Sequence, residues 1–194
     1  MGVNGANYYE GQIMALIYFV RHGKAAAGFS EDPDPGLNDL GRAQAARIAP
    51  RLIAAGAELF SSPLRRARET AMPVEAGLGR AARIEPAVSE IVAPVADLTA
   101  RGAWLRMAMR GNWTDLSEAH QAWRRGVVDV LLGMPQDSVI FSHFIAINAA
   151  VSHALGDPRM VCFSPENGSV TVLENAGGAL RVVELGEVSA TVVG

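Results

Sequence analysis

Short apolar runs alternate with longer, helix-like stretches along this chain of 194 residues. The first run, residues 15–20, is rich in β-branched and aromatic side chains and predicts a buried strand. Two further runs, which begin near residues 59 and 138, each lead into a stretch typical of a helix. Strands that alternate with helices predict an α/β fold.

Local signals set the boundaries of the first two helices. Asn38 is a suitable cap for a helix over residues 39–55, and Gly56 would close it. The second helix follows Pro63, a residue well suited to a first helical turn. These two helices would flank the strand that begins near residue 59.

The second half of the chain predicts an insertion and a hairpin. Residues 93–134 are largely helical in pattern, and Thr114 or Asp115 would form a cap between two helices. Residues 169–174 and 180–184 alternate in polarity around a Gly-rich turn, which predicts a C-terminal hairpin.

Three of the predicted strands end in arginine or histidine. Arg21-His22-Gly23 follows the first, the segment Ser-Ser-Pro-Leu-Arg-Arg-Ala with Arg66 follows the second, and His143 follows the third. In open α/β sheets, ligands bind just beyond the carboxyl ends of the strands. The sequence therefore predicts one site that contains two arginines and two histidines.

Taken together, these segments resemble the histidine phosphatase superfamily, which has the phosphoglycerate-mutase-like fold. Its patterns are Arg-His-Gly, Ser-Pro-Leu-x-Arg-Ala and a late histidine that opens a helix, and all three occur here in that order. The resemblance extends from about Leu16 to the C-terminal hairpin. It implies a three-layer α/β/α sandwich around a mostly parallel sheet, with residues 14–194 as a single domain.

The resemblance also implies roles for the residues of the three motifs. His22 would be the nucleophile that becomes phosphohistidine. Phosphoryl transfer requires an in-line nucleophile and positive charge around the equatorial oxygens, and guanidinium groups bind those oxygens bidentately. His143 would donate a further hydrogen bond. The catalytic and phosphate-binding residues would then include Arg21, His22, Gly23, Arg66 and His143. Phe144, a departure from the family pattern, is a substrate-binding candidate that could crowd the pocket or stack on a hydrophobic substrate.

A general acid is needed to protonate an alkoxide leaving group. Glu90 is the preferred candidate, because it follows a predicted strand at the interval where the resembled family carries its Leu-x-Glu acid. Here Val88 occupies the place of the leucine. Glu85 and Asp97 remain alternatives, since either could reach the site from a neighbouring loop.

The segment after the first motif departs from the family pattern. Lys24 is followed by small residues as far as Gly28, where many members have an amide and a hydroxyl near the phosphate. Ala25 and Gly28 cannot make those hydrogen bonds, which argues against mutase and sugar-bisphosphatase activity. Residues 29–36 predict a loop with an acidic rim.

The helical insertion contains three further candidates for binding a second anionic group, Arg101, Arg106 and Arg110. The simplest interpretation of these arginines is that they lie on solvated faces of the helices.

Composition excludes several other classes of protein. The net charge of −3 argues against a nucleic-acid-binding face, and a single cysteine excludes an internal disulfide framework. No apolar stretch is long enough to cross a membrane. The four histidines lack the spacing of a zinc site, and His120 is expected at the surface. We expect no cofactor.

Residues 1–13 contain no lysine or arginine and predict a disordered leader, with Met14 as a possible natural start.

The sequence thus predicts a cytoplasmic, metal-independent phosphomonoesterase of the histidine acid phosphatase type, which acts through phosphohistidine on His22. Its partner would be a small phosphorylated substrate or a phosphoprotein. Three alternatives fit the same motifs: a short-type phosphohistidine-protein phosphatase, a phosphoglycerate mutase, and a non-catalytic phosphate-binding module. The last is included because Ser142-His143-Phe144 replaces the family's commoner Gly-His-Gly or Gly-His-Ser.

Overall fold

A computed structural model of the chain describes residues 7–9, 12–28 and 31–188. Within these residues the chain forms a mixed sheet and five α-helices. The strands are β1 (Asn7–Tyr9), β2 (Gln12–Arg21), β3 (Glu58–Ser61), β4 (Arg83–Ile84), β5 (Ser138–Ser142), β6 (Val170–Ala176) and β7 (Ala179–Glu184). The helices are α1 (Asp39–Ala55), α2 (Arg65–Leu78), α3 (Leu98–Ala108), α4 (Glu118–Leu132) and α5 (Phe144–Leu155).

The strand order is β4-β3-β5-β2-β6-β7, and β1 pairs with the start of β2. The first four of these strands are parallel to one another, whereas β1, β6 and β7 pair in antiparallel fashion. Because β2, β3 and β5 are parallel, their carboxyl ends meet at one edge of the sheet. Phe141 of β5 is in register with both Val20 of β2 and Ser61 of β3.

Helices cover both faces of the sheet, so the predicted three-layer arrangement is confirmed. Alternate residues of a strand point to opposite faces. Phe19 accordingly packs in a core cluster with residues of α4 and α5, whereas its neighbour Val20 packs with residues of α1 and α2. Each face of the central strand is therefore buried, which explains the continuous apolar run in the sequence.

The predicted first helix is confirmed at both ends. The Asn38 side chain accepts a hydrogen bond from the Gly41 N–H at 2.8 Å, and Gly56 ends α1 in the left-handed conformation, with φ 64°. The second helix follows Pro63 as predicted, but Pro63 lies outside its first turn. Leu64 is the extended N-cap residue, so the helix begins at Arg65.

The predicted cap in the insertion is wrong. Ser117 is the N-cap residue of α4, and residues 113–115 form a 3-10 turn instead. The Asp115 carboxylate accepts a hydrogen bond from the Asn112 N–H at 2.7 Å, so it stabilises that turn. The C-terminal hairpin is confirmed as β6 and β7, joined at Gly177 and Gly178, which have positive φ angles.

The predicted leader, residues 1–13, lies largely outside the described residues. The described parts of it are β1, residues 7–9, and the first two residues of β2. In the described part of the chain, no helix has both the length and the apolar character needed to cross a membrane.

Candidate active site

The carboxyl ends of β2, β3 and β5 bring the predicted site residues together. The His22 N–H donates to the Ser142 carbonyl at 3.0 Å, which holds the end of β2 beside that of β5. The rings of His22 and His143 have centroids 5.2 Å apart. Arg66, in the first turn of α2, places its Nε 3.2 Å from Nε2 of His22. Residues from three distant parts of the sequence thus form one cluster.

Hydrogen bonds define the protonation state of His22. Its Nδ1 lies 2.7 Å from the Gly23 carbonyl oxygen, which can only accept, so Nδ1 carries the hydrogen. Nε2 then carries the lone pair, and the Arg66 Nε–H donates to it. Burial, and secondly the charge of Arg66, lower the pKa of His22 from 6.5 to about 3. The ring is therefore neutral at pH 7, with its lone pair on Nε2.

Two residues that the sequence analysis did not identify position the His22 segment. The Asn167 side chain donates from Nδ2 to the His22 carbonyl at 3.0 Å. Thr70 accepts a hydrogen bond from the Gly23 N–H at 3.1 Å and donates its hydroxyl hydrogen to the Arg66 carbonyl at 2.7 Å. Thr70 lies one helical turn after Arg66 on α2. This spacing, which places the two residues on the same face of the helix, was the sequence signal that could have identified Thr70. Asn167 lies in a loop before β6, where no local pattern marks it.

Gly23 lies against the backbone of α1. A Cβ atom on Gly23 would come within 3.0 Å of the Gly41 carbonyl oxygen, and one on Gly41 would meet the Lys24 carbonyl oxygen equally closely. Such contacts require backbone movement. The two glycines therefore allow the loop after β2 to pack directly on the first turn of α1. The Gly23 N–H donates to the Thr70 hydroxyl. The observed role of Gly23 is therefore to let the backbone after β2 approach the backbone of α1 closely.

Arg21 and Phe144 form one wall of the cleft. Arg21 donates from Nη1 to the Pro165 carbonyl at 2.6 Å, and its Cζ lies 4.9 Å from the centroid of the Phe144 ring. The Arg21 Nε is buried and has no hydrogen-bond partner among the described residues. Phe144 therefore supports the guanidinium group by a cation–π contact, a role that glycine or serine could not supply.

His143 is completely buried at the N-terminus of α5. Its Nε2 lies 2.8 Å from the Ser62 hydroxyl, which also accepts a hydrogen bond from the Leu64 N–H. Burial, followed by the nearby His22 and Arg66, lowers the pKa of His143 well below 6.5. The direction of this hydrogen bond follows the tautomer of the ring: with the hydrogen on Nδ1, Nε2 accepts from the Ser62 hydroxyl. Nδ1 is buried without a partner in the described structure, so in that tautomer it is a donor.

Glu90 is the buried carboxylate of the cluster, with 5% of its surface exposed. Oε1 accepts from the Ile91 N–H at 3.0 Å, and Oε2 accepts from the Ile145 N–H in the first turn of α5 at 3.2 Å. Burial raises the pKa of Glu90, while the two backbone N–H groups and Arg66 oppose that rise. A buried carboxyl group with a raised pKa can hold a proton for transfer.

The two alternative acids have other functions in the structure. The Glu85 carboxylate accepts from the Ala87 N–H at 3.0 Å and caps a 3-10 turn over residues 86–88. The Asp97 carboxylate accepts from the Ala100 N–H at 2.8 Å and caps α3. Of the three predicted candidates, Glu90 is the one that lines a cavity with Arg66.

The main cleft has a volume of about 440 Å³. Arg21, His22, Arg66, Glu90 and Phe144 line it, together with residues 24–28 and the exposed carboxylates of Glu31 and Asp32. Asp34, in the same acidic loop, lies 3.8 Å from the Arg66 guanidinium and accepts from the Arg65 N–H. The predicted acidic rim is therefore present, and it contacts α2 directly.

Residues 17–188 match the family model of the histidine phosphatase superfamily (branch 1). The chain belongs to this superfamily. Three solved structures are similar in fold. YhfR of Bacillus stearothermophilus has a TM-score of 0.74 and 19% identity, and the match covers 90% of this chain and 98% of that one. A mycobacterial glucosyl-3-phosphoglycerate phosphatase in complex with VO3 has a TM-score of 0.65 and 21% identity, with 88% and 98% of the two chains covered, and a phosphoglycerate mutase from Thermus thermophilus has a TM-score of 0.60 and 23% identity, with 90% and 99% covered.

One curated relative matches over a shorter length. The PE-PGRS family protein PE_PGRS11 of Mycobacterium tuberculosis is 39% identical over 87 residues, which are 41% of this chain and 15% of that protein. The chain thus corresponds to a small part of that relative. Membership of the histidine phosphatase superfamily rests on the match over residues 17–188.

In this superfamily member, four further residues considered in the sequence do not line the main cleft: Arg101, Arg106, Arg110 and His120. Arg106 and Arg110 are exposed, whereas Arg101 lines a second, smaller cavity. The prediction that His120 is at the surface is wrong. It is 9% exposed, its Nε2 lies 2.9 Å from the Val92 carbonyl oxygen, and its ring packs on Trp104. Across the described residues, no three His, Cys, Asp or Glu side chains form a group that could hold a metal ion.

Proposed function

We propose that the protein hydrolyses phosphomonoesters through a phosphohistidine intermediate on His22. The observation that carries this proposal is the state of His22, a neutral buried imidazole whose Nε2 lone pair lies beside Arg66. Nε2 lies next to a guanidinium group that also suits a phosphate, so the attacking atom and an anion-binding group stand side by side. The superfamily assignment supports the same reaction.

In the first step, the His22 Nε2 attacks phosphorus and the bond between phosphorus and the ester oxygen breaks. Glu90 gives its proton to the departing oxygen, so the product is a neutral alcohol. Negative charge on the equatorial oxygens would be stabilised by the guanidinium groups of Arg21 and Arg66. The Nδ1–H of His143 would donate a further hydrogen bond. Donors fixed before the reaction stabilise the transition state without reorganisation.

In the second step, water attacks phosphorus and the bond to Nε2 breaks. The water proton passes to the Glu90 carboxylate, which restores the acid, and inorganic phosphate leaves with the water oxygen. His22 returns to its neutral form with the hydrogen still on Nδ1. The hydrogen bond from Nδ1 to the Gly23 carbonyl stabilises positive charge on the ring during both steps. The two steps together consume one water and leave every group as it began.

The test uses nitrophenyl phosphate and the variants His22→Ala and His153→Ala. His153 is an exposed histidine on α5 and is the matched control. We expect His22→Ala to abolish turnover while circular dichroism shows an unchanged fold, and His153→Ala to retain activity. With 3-phosphoglycerate, we expect free phosphate as the main product.

Turnover near the wild-type rate in folded His22→Ala would refute the mechanism. Efficient interconversion of 2- and 3-phosphoglycerate with little free phosphate would identify a mutase. A wild-type protein that binds vanadate but hydrolyses no phosphomonoester would be a binding module.

A further inference from the structure

A second cavity, with a volume of about 190 Å³, adjoins the catalytic cleft. The two cavities share Pro33, Arg66 and Glu90 as lining residues. Glu90 and Arg66 therefore stand at the boundary between the two cavities. This arrangement provides space beyond the proposed acid.

The position of the proposed acid determines what this space can hold. Glu90 must reach the ester oxygen to protonate it, because proton transfer requires hydrogen-bond contact. Arg66 must reach the phosphoryl oxygens at the same time. A substrate that meets both requirements has its leaving group beside Glu90, at the junction of the two cavities.

The lining of the second cavity is mainly apolar. Leu64, Ile91, Val92, Ala93, Trp104 and Leu105 contribute hydrocarbon or indole surface. Besides Arg66 and Glu90, the charged lining residue is Arg101, whose Nε donates to the Val95 carbonyl at 3.3 Å. Sugar hydroxyl groups would find no hydroxyl or amide side chain among these lining residues. A polar leaving group would lose hydrogen bonds to water there, whereas an apolar one would gain by leaving water.

The walls of this cavity are fixed to one another. The His120 ring packs on Trp104 with centroids 4.9 Å apart, and its Nε2 lies 2.9 Å from the Val92 carbonyl oxygen. His120 thereby connects α3, which carries Trp104, to the loop that carries Val92. Val92 lines this cavity and is itself 66% exposed. The cavity is thus preformed and open to an apolar ligand.

We propose that this second cavity binds the leaving group of the substrate and selects phosphomonoesters of apolar alcohols, alkyl or aryl. The proposal rests on the proposed hydrolysis, because Glu90 and Arg66 place the leaving group there. It assigns a substrate class in which the group attached to the ester oxygen is hydrocarbon rather than sugar or glycerate.

A series of straight-chain alkyl phosphates from ethyl to octyl tests this proposal. From ethyl upward, the leaving oxygens have nearly the same basicity, so the chemical step stays constant and binding varies. Burial of one methylene contributes about 0.8 kcal/mol, which corresponds to about fourfold in kcat/KM. We expect kcat/KM to rise about two- to fourfold per methylene until the cavity is full. Glycerol phosphate should be a poorer substrate than butyl phosphate.

Two variants locate the effect. Trp104→Ala should reduce the dependence on chain length, and Ala93→Leu should make it level off at a shorter chain, because leucine fills part of the cavity. Met107→Ala is the matched control, since Met107 lies on the same helix and is 66% exposed. Its chain-length dependence should equal that of the wild type. If Trp104→Ala fails to fold, the chain-length dependence of Ala93→Leu alone tests the proposal.

The outcomes separate this proposal from the proposed function. Hydrolysis of nitrophenyl phosphate with no dependence on alkyl chain length would overturn the apolar selectivity and leave the phosphatase reaction intact. A chain-length dependence that Ala93→Leu does not alter would place the hydrocarbon elsewhere and would also overturn it. Failure to hydrolyse any phosphomonoester would refute the phosphatase reaction, and the proposal with it.

Discussion

Replacement of Glu90 by glutamine separates its proposed role as an acid from its contacts with the backbone. Each Glu90 oxygen accepts one backbone hydrogen bond, from Ile91 at 3.0 Å and from Ile145 at 3.2 Å. The single carbonyl oxygen of glutamine can keep one of these, and its NH₂ group then faces the other N–H. An unsatisfied buried donor costs about 1–3 kcal/mol. We therefore expect Glu90→Gln to be less stable by an amount in that range, as measured by urea unfolding.

The catalytic effect of the same change should depend on the leaving group. Glutamine cannot donate the proton that an alkoxide needs, and loss of such a donor costs about 10²–10⁴-fold. Nitrophenolate leaves without protonation. Hydrolysis of butyl phosphate should therefore fall by about 10²–10⁴-fold in kcat/KM, and hydrolysis of nitrophenyl phosphate should fall much less. Release of inorganic phosphate measures both reactions.

The pH dependence gives a second measurement of the Glu90 role. Burial raises the pKa of Glu90, so the protonated acid persists above the ordinary range for a carboxyl group. Wild-type kcat/KM for butyl phosphate should fall as the pH rises through this raised pKa. In Glu90→Gln that decline should disappear, because glutamine does not titrate.

Two results would refute this reasoning. Equal losses on both substrates would mean that Glu90 positions Arg21 or Arg66 rather than donating a proton. The matched control Glu85→Gln changes a carboxylate that caps a 3-10 turn. If Glu85→Gln showed the leaving-group dependence and Glu90→Gln were silent, the acid would be Glu85.

Three further predictions concern packing, protonation and metal ions. Gly23→Ala should destabilise the fold by about 1–3 kcal/mol in urea unfolding, because its Cβ meets the Gly41 carbonyl. The control Gly126→Ala should not destabilise the fold, because a Cβ there meets no atom within 4 Å. Equal effects of the two changes would contradict this prediction. Because the pKa of His22 falls from 6.5 to about 3 on folding, the folded state binds fewer protons between these values. The free energy of unfolding should therefore fall as the pH drops through this window. His22→Asn should reduce the slope of that fall by up to about 1.4 kcal/mol per pH unit. An unchanged slope would argue against a neutral buried ring. Activity should survive exhaustive treatment with EDTA and be inhibited by vanadate, whereas loss on chelation with recovery on added divalent ion would indicate a metal-dependent enzyme.

The sequence was sufficient where structure depends on neighbouring residues. Asn38 caps α1 as predicted, because a cap acts on an N–H three residues away. The convergence of His22, Arg66 and His143 could be predicted as well, since parallel strands end at one edge of a sheet. Each of these inferences needs only local geometry and one topological rule.

Tertiary contacts account for what the sequence did not reveal. Asn167 reaches the His22 carbonyl from 145 residues further along the chain, in a loop with no pattern of its own. His120 was expected at the surface, yet the packing of α3 against the loop at Val92 buries it. The apolar second cavity likewise arises where four separate segments meet, so no single segment indicates it.

The hydrogen bond from Arg66 to the His22 Nε2 has a consequence for the order of events. In the free protein, the lone pair that would attack phosphorus is occupied by the guanidinium group. A phosphoryl group that attracts this guanidinium also uncovers the lone pair, so recognition and activation become the same movement. Under the proposed mechanism, the resting imidazole would thereby be shielded from stray electrophiles, and it would become reactive only when an anion of the correct shape competes for its arginine.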